Sequence, residues 1–180
     1  MALTATVYTI EIDLADHDRG VFESLAIRAA RHPSESAEYF VTRVLAYALE
    51  YAEGIEFSKG GISDPEDPPI AVRDLTGAFR AWIEIGNPEA ARLHKASKTA
   101  PRVAVYTHKD PAQLMARLAG ERIHRAEAID VWAMDRALVA ALVERLERRM
   151  SFSLAVSERE LSVSFADATL SGTIVRHRLP

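Results

Sequence analysis

Glu84 lies in the run Phe79 to Gly86, where Phe79, Ala81, Ile83 and Ile85 alternate with Arg80, Trp82, Glu84 and Gly86. That period of two describes a strand with a carboxylate near its end. Gly86 lets the backbone turn into a following helix, for which Asn87 is the expected cap and Pro88 the expected first residue. A carboxylate beside a helix N-terminus is electrostatically favoured, and its oxygens could ligate a divalent cation if a second acid approached. Asp74, earlier in the chain, is the first candidate for that acid. The plainer alternative has Glu84 facing solvent or pairing with Arg80.

Basic residues follow on the next helix. Arg92 and Lys95 are spaced to occupy neighbouring positions of one face, with Lys98 a turn further on. A cation beside a metal-bound water could orient that nucleophile or stabilise charge developing on phosphate, although such a run is usually a solvated face. Glu35 and Glu38 sit at the start of an earlier helix, where the dipole alone accounts for acids. Arg31 and Glu35 could form an ion pair at that junction. The six histidines are scattered, and no HExxH, GxSxG, P-loop or GxGxxG motif is present. With no cysteine, thiol nucleophiles, Cys-bearing zinc sites and iron–sulfur clusters are excluded.

The elements that must position these residues follow from periodicity. Thr4 to Leu14 and Val21 to Ala30 read as a hairpin around the turn Asp16 to Gly20. Ser34 to Glu53 reads as a helix capped by Ser34 and ended at Gly54, with Val41, Val44, Leu45, Ala48 and Ala52 as its apolar stripe and Glu38 on its flank. Ile55 to Ile62 is a strand that breaks at Gly60 and Gly61, and the run from Ser63 to Pro69 is an acidic, proline-rich loop. Strands at Arg102 to His108 and Glu127 to Ala133 alternate with helices after Asn87 and Asp110, which argues for parallel pairing. Asp135 to Arg149 is a helix, and Met150 to Arg178 holds two or three antiparallel strands. The expected architecture is a single α/β domain over residues 1–180, a mixed sheet with antiparallel strands added at both ends. Ligands favour the C-terminal ends of parallel strands, which carry Glu84 to Gly86, Thr107 to Lys109 and Ala133 to Asp135.

The balance of 22 Lys+Arg against 26 Asp+Glu gives a net charge of −4, which weighs against a general nucleic-acid coat. No apolar run reaches a membrane span and no signal-peptide core opens the chain, so a soluble cytoplasmic protein without membrane contact is expected.

Taken together, LTATVYTIEIDLADHDRG, ARHPSESAE with Arg43 downstream, FSKGGIS and WIEIGNPEAARLHKA resemble the YaeQ family of bacterial proteins over essentially the whole chain. The resemblance implies a restriction-endonuclease-like core of the PD-(D/E)XK nuclease-like superfamily. Such a core carries an acid on its first helix, an Asp at a strand and an acid-x-Lys motif on the next strand. Mg²⁺ or Mn²⁺ bound by the acids then promotes phosphodiester hydrolysis. On this chain the implied metal ligands are Glu38 (or Glu35), Asp74 (or Asp67) and Glu84. Gly86 stands where the superfamily has its lysine, so the implied lysine is Lys95 (or Lys98), on the adjoining helix. Asp74 is not preceded by proline. The implied function is a metal-dependent nuclease or phosphodiesterase with nucleic acid as partner. The alternative is a non-catalytic regulatory or binding protein that keeps the fold and takes a protein partner. A third reading is an enzyme for a small acidic substrate bound near Arg31, Lys59 and Arg92, with Glu35 beside them.

Overall fold

The computed structural model describes residues 4–59 and 64–180. In chain order the elements are β1 (Thr6–Asp16), β2 (Val21–Arg31), α1 (Ala37–Leu49), β3 (Ile55–Phe57), β4 (Ile70–Arg73), β5 (Phe79–Ile85), α2 (Ala90–Thr99) and β6 (Val103–Thr107). There follow α3 (Pro111–Leu118), β7 (Asp130–Ala133), α4 (Arg136–Glu144), β8 (Arg149–Ser157), β9 (Glu160–Ser164), β10 (Thr169–Thr173) and β11 (Val175–Arg178). The mixed α/β class is as expected from the sequence. The strands form two mixed sheets instead of one extended at both ends. The predicted break at Gly60 and Gly61 lies outside the described residues. Among the described residues, no helix is long and apolar enough to cross a membrane.

Two compact units emerge. The first joins the residues up to Tyr51 with Met134–Ile174 and carries the five-stranded sheet β10-β9-β8-β1-β2. Its hairpin is the predicted one, in continuous register from Thr6 opposite Arg31 to Asp16 opposite Val21. The period-two pattern of β1 buries Tyr8, Ile10, Ile12 and Leu14 on one face, and β8 pairs with β1 in parallel. That pairing explains why β1 and β2 join β8, β9 and β10 in a sheet of their own, while β11 goes to the other sheet. The sheet buries its apolar face with α1, which also packs against α4.

Helix α1 starts later than the Ser34 cap predicts. A tight turn from His32 to Glu35 comes first, closed by the Glu35 amide on the His32 carbonyl at 2.9 Å, and Ser36 becomes the cap, accepting from the Tyr39 amide at 3.1 Å. At the other end the Arg19 guanidinium donates to the Ala48 and Tyr51 carbonyls, closing the helix well before Gly54. Helix α4 stops at Glu144, because Arg149 already pairs with Thr9 in the sheet.

The second unit, Ala52–Ala133 with Val175–Pro180, carries the six-stranded sheet β11-β7-β6-β5-β4-β3. At its centre β5, β6 and β7 are parallel, as predicted, with α2 and α3 in the connections. β4 and β3 extend this sheet antiparallel beyond β5. Sequence periodicity misses β4, a strand of only four residues. The predicted strand at Glu127 begins with a 3-10 turn over Ala126–Ala128. Trp82, Leu93, Ala96, Val103, Val105, Leu114, Ile129 and Val131 form the core between the sheet and its helices. Helix α2 begins at Ala90, not Pro88. The Arg117 guanidinium holds the carbonyls of Asn87 and Pro88 at 2.6 and 3.0 Å, which keeps that stretch extended.

Candidate functional site

The C-terminal rim of the parallel strands in the second unit assembles around Glu84. Strand alternation puts Trp82 and Glu84 on the face covered by α2, and both are buried. Trp82 Nε1 donates to Glu84 Oε1 at 2.7 Å, and Arg92 Nε donates to the same oxygen at 2.5 Å. Glu84 therefore neither faces solvent nor pairs with Arg80. Burial pushes its carboxyl above the usual range, while the Arg92 charge and the two hydrogen bonds offset part of that shift. Gly86 follows at φ 84°, with its amide on the Tyr106 carbonyl at 2.8 Å. A lysine, or any other residue with a Cβ, would be strained at that position, because it would be held in the left-handed region.

Arg92 is the hub of the rim. Beyond Glu84 it donates to the Asp64 carbonyl at 2.8 Å and to the Asp67 carbonyl at 3.1 Å, with its guanidinium carbon 5.7 Å from the centre of the Trp82 ring. One turn along α2, Lys95 bonds the Pro65 carbonyl at 3.1 Å and pairs with the Glu66 carboxylate. From β4, Arg73 donates to Asp67 Oδ1 at 3.2 Å and to Glu56 Oε1 at 2.8 Å while lying 4.0 Å from the centre of the Phe79 ring. The acidic stretch 64–67 is thus fastened by Arg73, Arg92 and Lys95, and the first two of these cations lie near Phe79 and Trp82, whose rings are 5.2 Å apart. Arg73 and Glu66 are absent from the sequence reading. The signal for them was the acidic loop itself, which needed cations opposite it.

Asp74 is not part of this rim. It sits in the exposed turn before β5, where Oδ1 accepts from the Thr76 amide, the Thr76 hydroxyl and the Ala78 amide at 2.9, 2.6 and 3.0 Å. Those bonds, led by the Thr76 hydroxyl, lower its carboxyl from the usual range. From Ala78 to Glu84 the strand runs on the order of 20 Å at about 3.3 Å per residue. The structure therefore does not bring Asp74 to Glu84. Asp67, which contends for the same role, lies on the rim, although its carboxylate faces Arg73. Lys98 is exposed in the last turn of α2, and Lys59 is exposed.

The remaining expected residues belong to the first unit. Glu38 is exposed in the first turn of α1, ahead of the first buried residue of the helix, Phe40. Glu35 is buried, and its partner is Arg43 instead of Arg31: Arg43 Nε and one terminal nitrogen donate to the two carboxylate oxygens at 2.9 and 3.2 Å. The same Arg43 terminal nitrogen reaches the Ala30 carbonyl at 2.8 Å, while Arg31 bonds the Glu35 carbonyl at 3.1 Å. This cluster joins strand, turn and helix, and the dipole argument for Glu35 gives way to a buried ion pair.

A resident Mg²⁺ would need several oxygen ligands free to turn toward it. Asp74 Oδ1 is saturated by its own turn, Glu84 Oε1 is held by a cation, and among the described residues neither unit groups three acids or histidines that could hold a metal ion. The side chains as arranged do not fit that ion.

A family model described as "YaeQ protein" matches residues 1–174. The chain is 30% identical to an uncharacterized YaeQ protein of Salmonella typhi over 167 residues, 92% of each chain. It is 32% identical to the corresponding protein of Escherichia coli (strain K12) over 160 residues, 88% of this chain and 87% of the relative. Two crystal structures are similar. A YaeQ protein from Xanthomonas axonopodis pv. citri superposes with a TM-score of 0.88 at 28% identity, covering 98% of this chain and 100% of the other. One from Pseudomonas syringae gives 0.85 at 27%, covering 96% and 95%.

Proposed function

This chain belongs to the YaeQ family, and from that premise we propose that it is a non-catalytic binding protein that keeps a restriction-endonuclease-like core. One observation carries the proposal: the acid that would centre a PD-(D/E)XK-like site, Glu84, is held by Arg92. A guanidinium at 2.5 Å supplies the positive charge that a divalent cation would otherwise bring. Arg92, Lys95 and Arg73 together form a cationic rim that engages carbonyls and carboxylates of residues 64–67. The partner favoured by that chemistry is an acidic protein segment that competes with this stretch for the same cations.

The test is calorimetric titration of Mg²⁺ and Mn²⁺ into the wild-type protein and Glu84→Ala. The expected result is no saturable binding at millimolar metal in either. Saturable binding lost in Glu84→Ala would overturn the proposal in favour of a metal-dependent phosphodiester hydrolase. That second reading draws on one observation of its own. Glu84 and Asp67 share the rim with Lys95, and both hydrogen bonds to the Glu84 carboxylate fall on Oε1, leaving Oε2 outside them.

A further inference from the structure

The hairpin strand β2 forms one edge of the five-stranded sheet and is as long as β1, in unbroken register with it. Which of its backbone groups face outward follows from β1. The Thr9 and His17 amides bond the Arg148 and Val156 carbonyls at 2.8 Å each, so odd-numbered residues of β1 turn toward β8. Even-numbered residues of β1 therefore bond β2, and through the pairing of Ile10 with Ile27 they engage its odd-numbered residues. Phe22, Ser24, Ala26, Arg28 and Ala30 are left with amides and carbonyls pointing away from the sheet. The Ala30 carbonyl agrees, since it is taken by Arg43. Among the described residues, no hydrogen bond reaches the backbone groups of Phe22, Ser24, Ala26 or Arg28 from beyond the hairpin.

An edge of this length, without proline or bulge over that stretch, is a template for another strand. Its exposed face is suited to one kind of strand in particular. Phe22 is 59% exposed, with its ring edge-on to His17 at 5.2 Å, and Arg28 is exposed on the same face. Ser24 and Ala26 between them are small. Two copies of β2 laid antiparallel about Leu25 use Phe22, Ser24, Ala26 and Arg28, the four outward-facing residues other than Ala30. In that register Phe22 of each copy meets Arg28 of the other, and Ser24 meets Ala26. Guanidinium on aromatic is attractive, and the small central pair lets the backbones approach. Shifting the register toward Ala30 would require a carbonyl already held by Arg43.

We propose that β2 is a dimerisation edge, through which two copies of this chain join their sheets with reciprocal Phe22–Arg28 contacts. The proposal is independent of the cationic rim around Arg92. Because the ladder is short, association is concentration-dependent. Sedimentation equilibrium from about 1 to about 100 µM spans the affinities of modest interfaces. The expected result is a rise from the 19.9 kDa monomer toward twice that mass. Ala26→Pro removes an outward amide that no intrachain bond uses, and Arg28→Glu places an anion over the Phe22 ring. Both should weaken association by about tenfold or more, with unchanged far-ultraviolet circular dichroism. If Ala26→Pro fails to fold, Arg28→Glu decides alone. A wild-type monomer throughout the range, or variants that dimerise as before, would overturn the proposal. A monomer that binds extended peptides of other proteins would overturn the choice of a second copy.

Discussion

Arg92 Nε stands 2.5 Å from Glu84 Oε1, joining the first exposed turn of α2 to the buried end of β5. The same guanidinium ties down Asp64 and Asp67 through their carbonyls. One side chain thus neutralises the only charge buried in β5 and anchors the acidic loop above it.

Removing that cation should be costly. Arg92→Met leaves the Glu84 charge buried with only the Trp82 bond, a loss of about 3–5 kcal/mol for a broken buried pair. Adding Glu84→Gln to Arg92→Met should recover much of it, because the uncompensated charge disappears. Urea unfolding of the two single variants and the double variant provides the cycle. Additive losses would show that the pair carries no coupling.

The pH dependence has a definite sign. Burial raises the Glu84 carboxyl, so between its unfolded value of about 4.3 and the raised folded value the native state binds the extra proton. Its contribution is fully present below the unfolded value and is lost as pH rises through the folded one. Wild-type stability relative to Glu84→Gln should accordingly fall with increasing pH above about 4.3. Urea midpoints at a series of pH values measure this. A difference that rises instead would mean that the Arg92 charge outweighs burial.

Glu35 and Arg43 should behave as structural residues. Both are buried, and truncating one partner strands the other, for a cost of about 3–5 kcal/mol. Glu35→Ala should therefore lower the thermal midpoint without altering any response to Mg²⁺. A variant that keeps its stability but changes metal binding would place Glu35 in a ligand role.

These contrasts show which parts of the molecule were legible in the sequence. The parallel core was, because β5 alternates cleanly and Asp110 caps α3 through the Ala112 amide as its spacing predicts. Glu84 was located by the glycine after its strand. Its partner was not, because Arg92 meets it only once α2 folds back across the strand end. Asp74 and Asp67 could not be separated without β4: a strand of four residues, three of them buried in succession, leaves no periodic signal, yet its antiparallel course puts them at different ends of β5. The buried Glu35–Arg43 pair was hidden because a helix N-terminus already accounts for an acid.

The acidic loop supplies the last prediction. Lys95 and Glu66 are 40% and 76% exposed in their side chains, so their pair contributes at most about 1 kcal/mol to global stability. Local opening of residues 64–67 depends on it more directly, since Lys95 also holds the Pro65 carbonyl. Lys95→Met should leave the urea midpoint nearly unchanged while accelerating cleavage after Glu66 by a glutamate-specific protease. The rate of that single cut, compared with global unfolding under the same conditions, separates the two effects. If cleavage were to follow global stability alone, the loop would open only when the whole unit unfolds, and a competing acidic segment could not reach Arg92 without that unfolding.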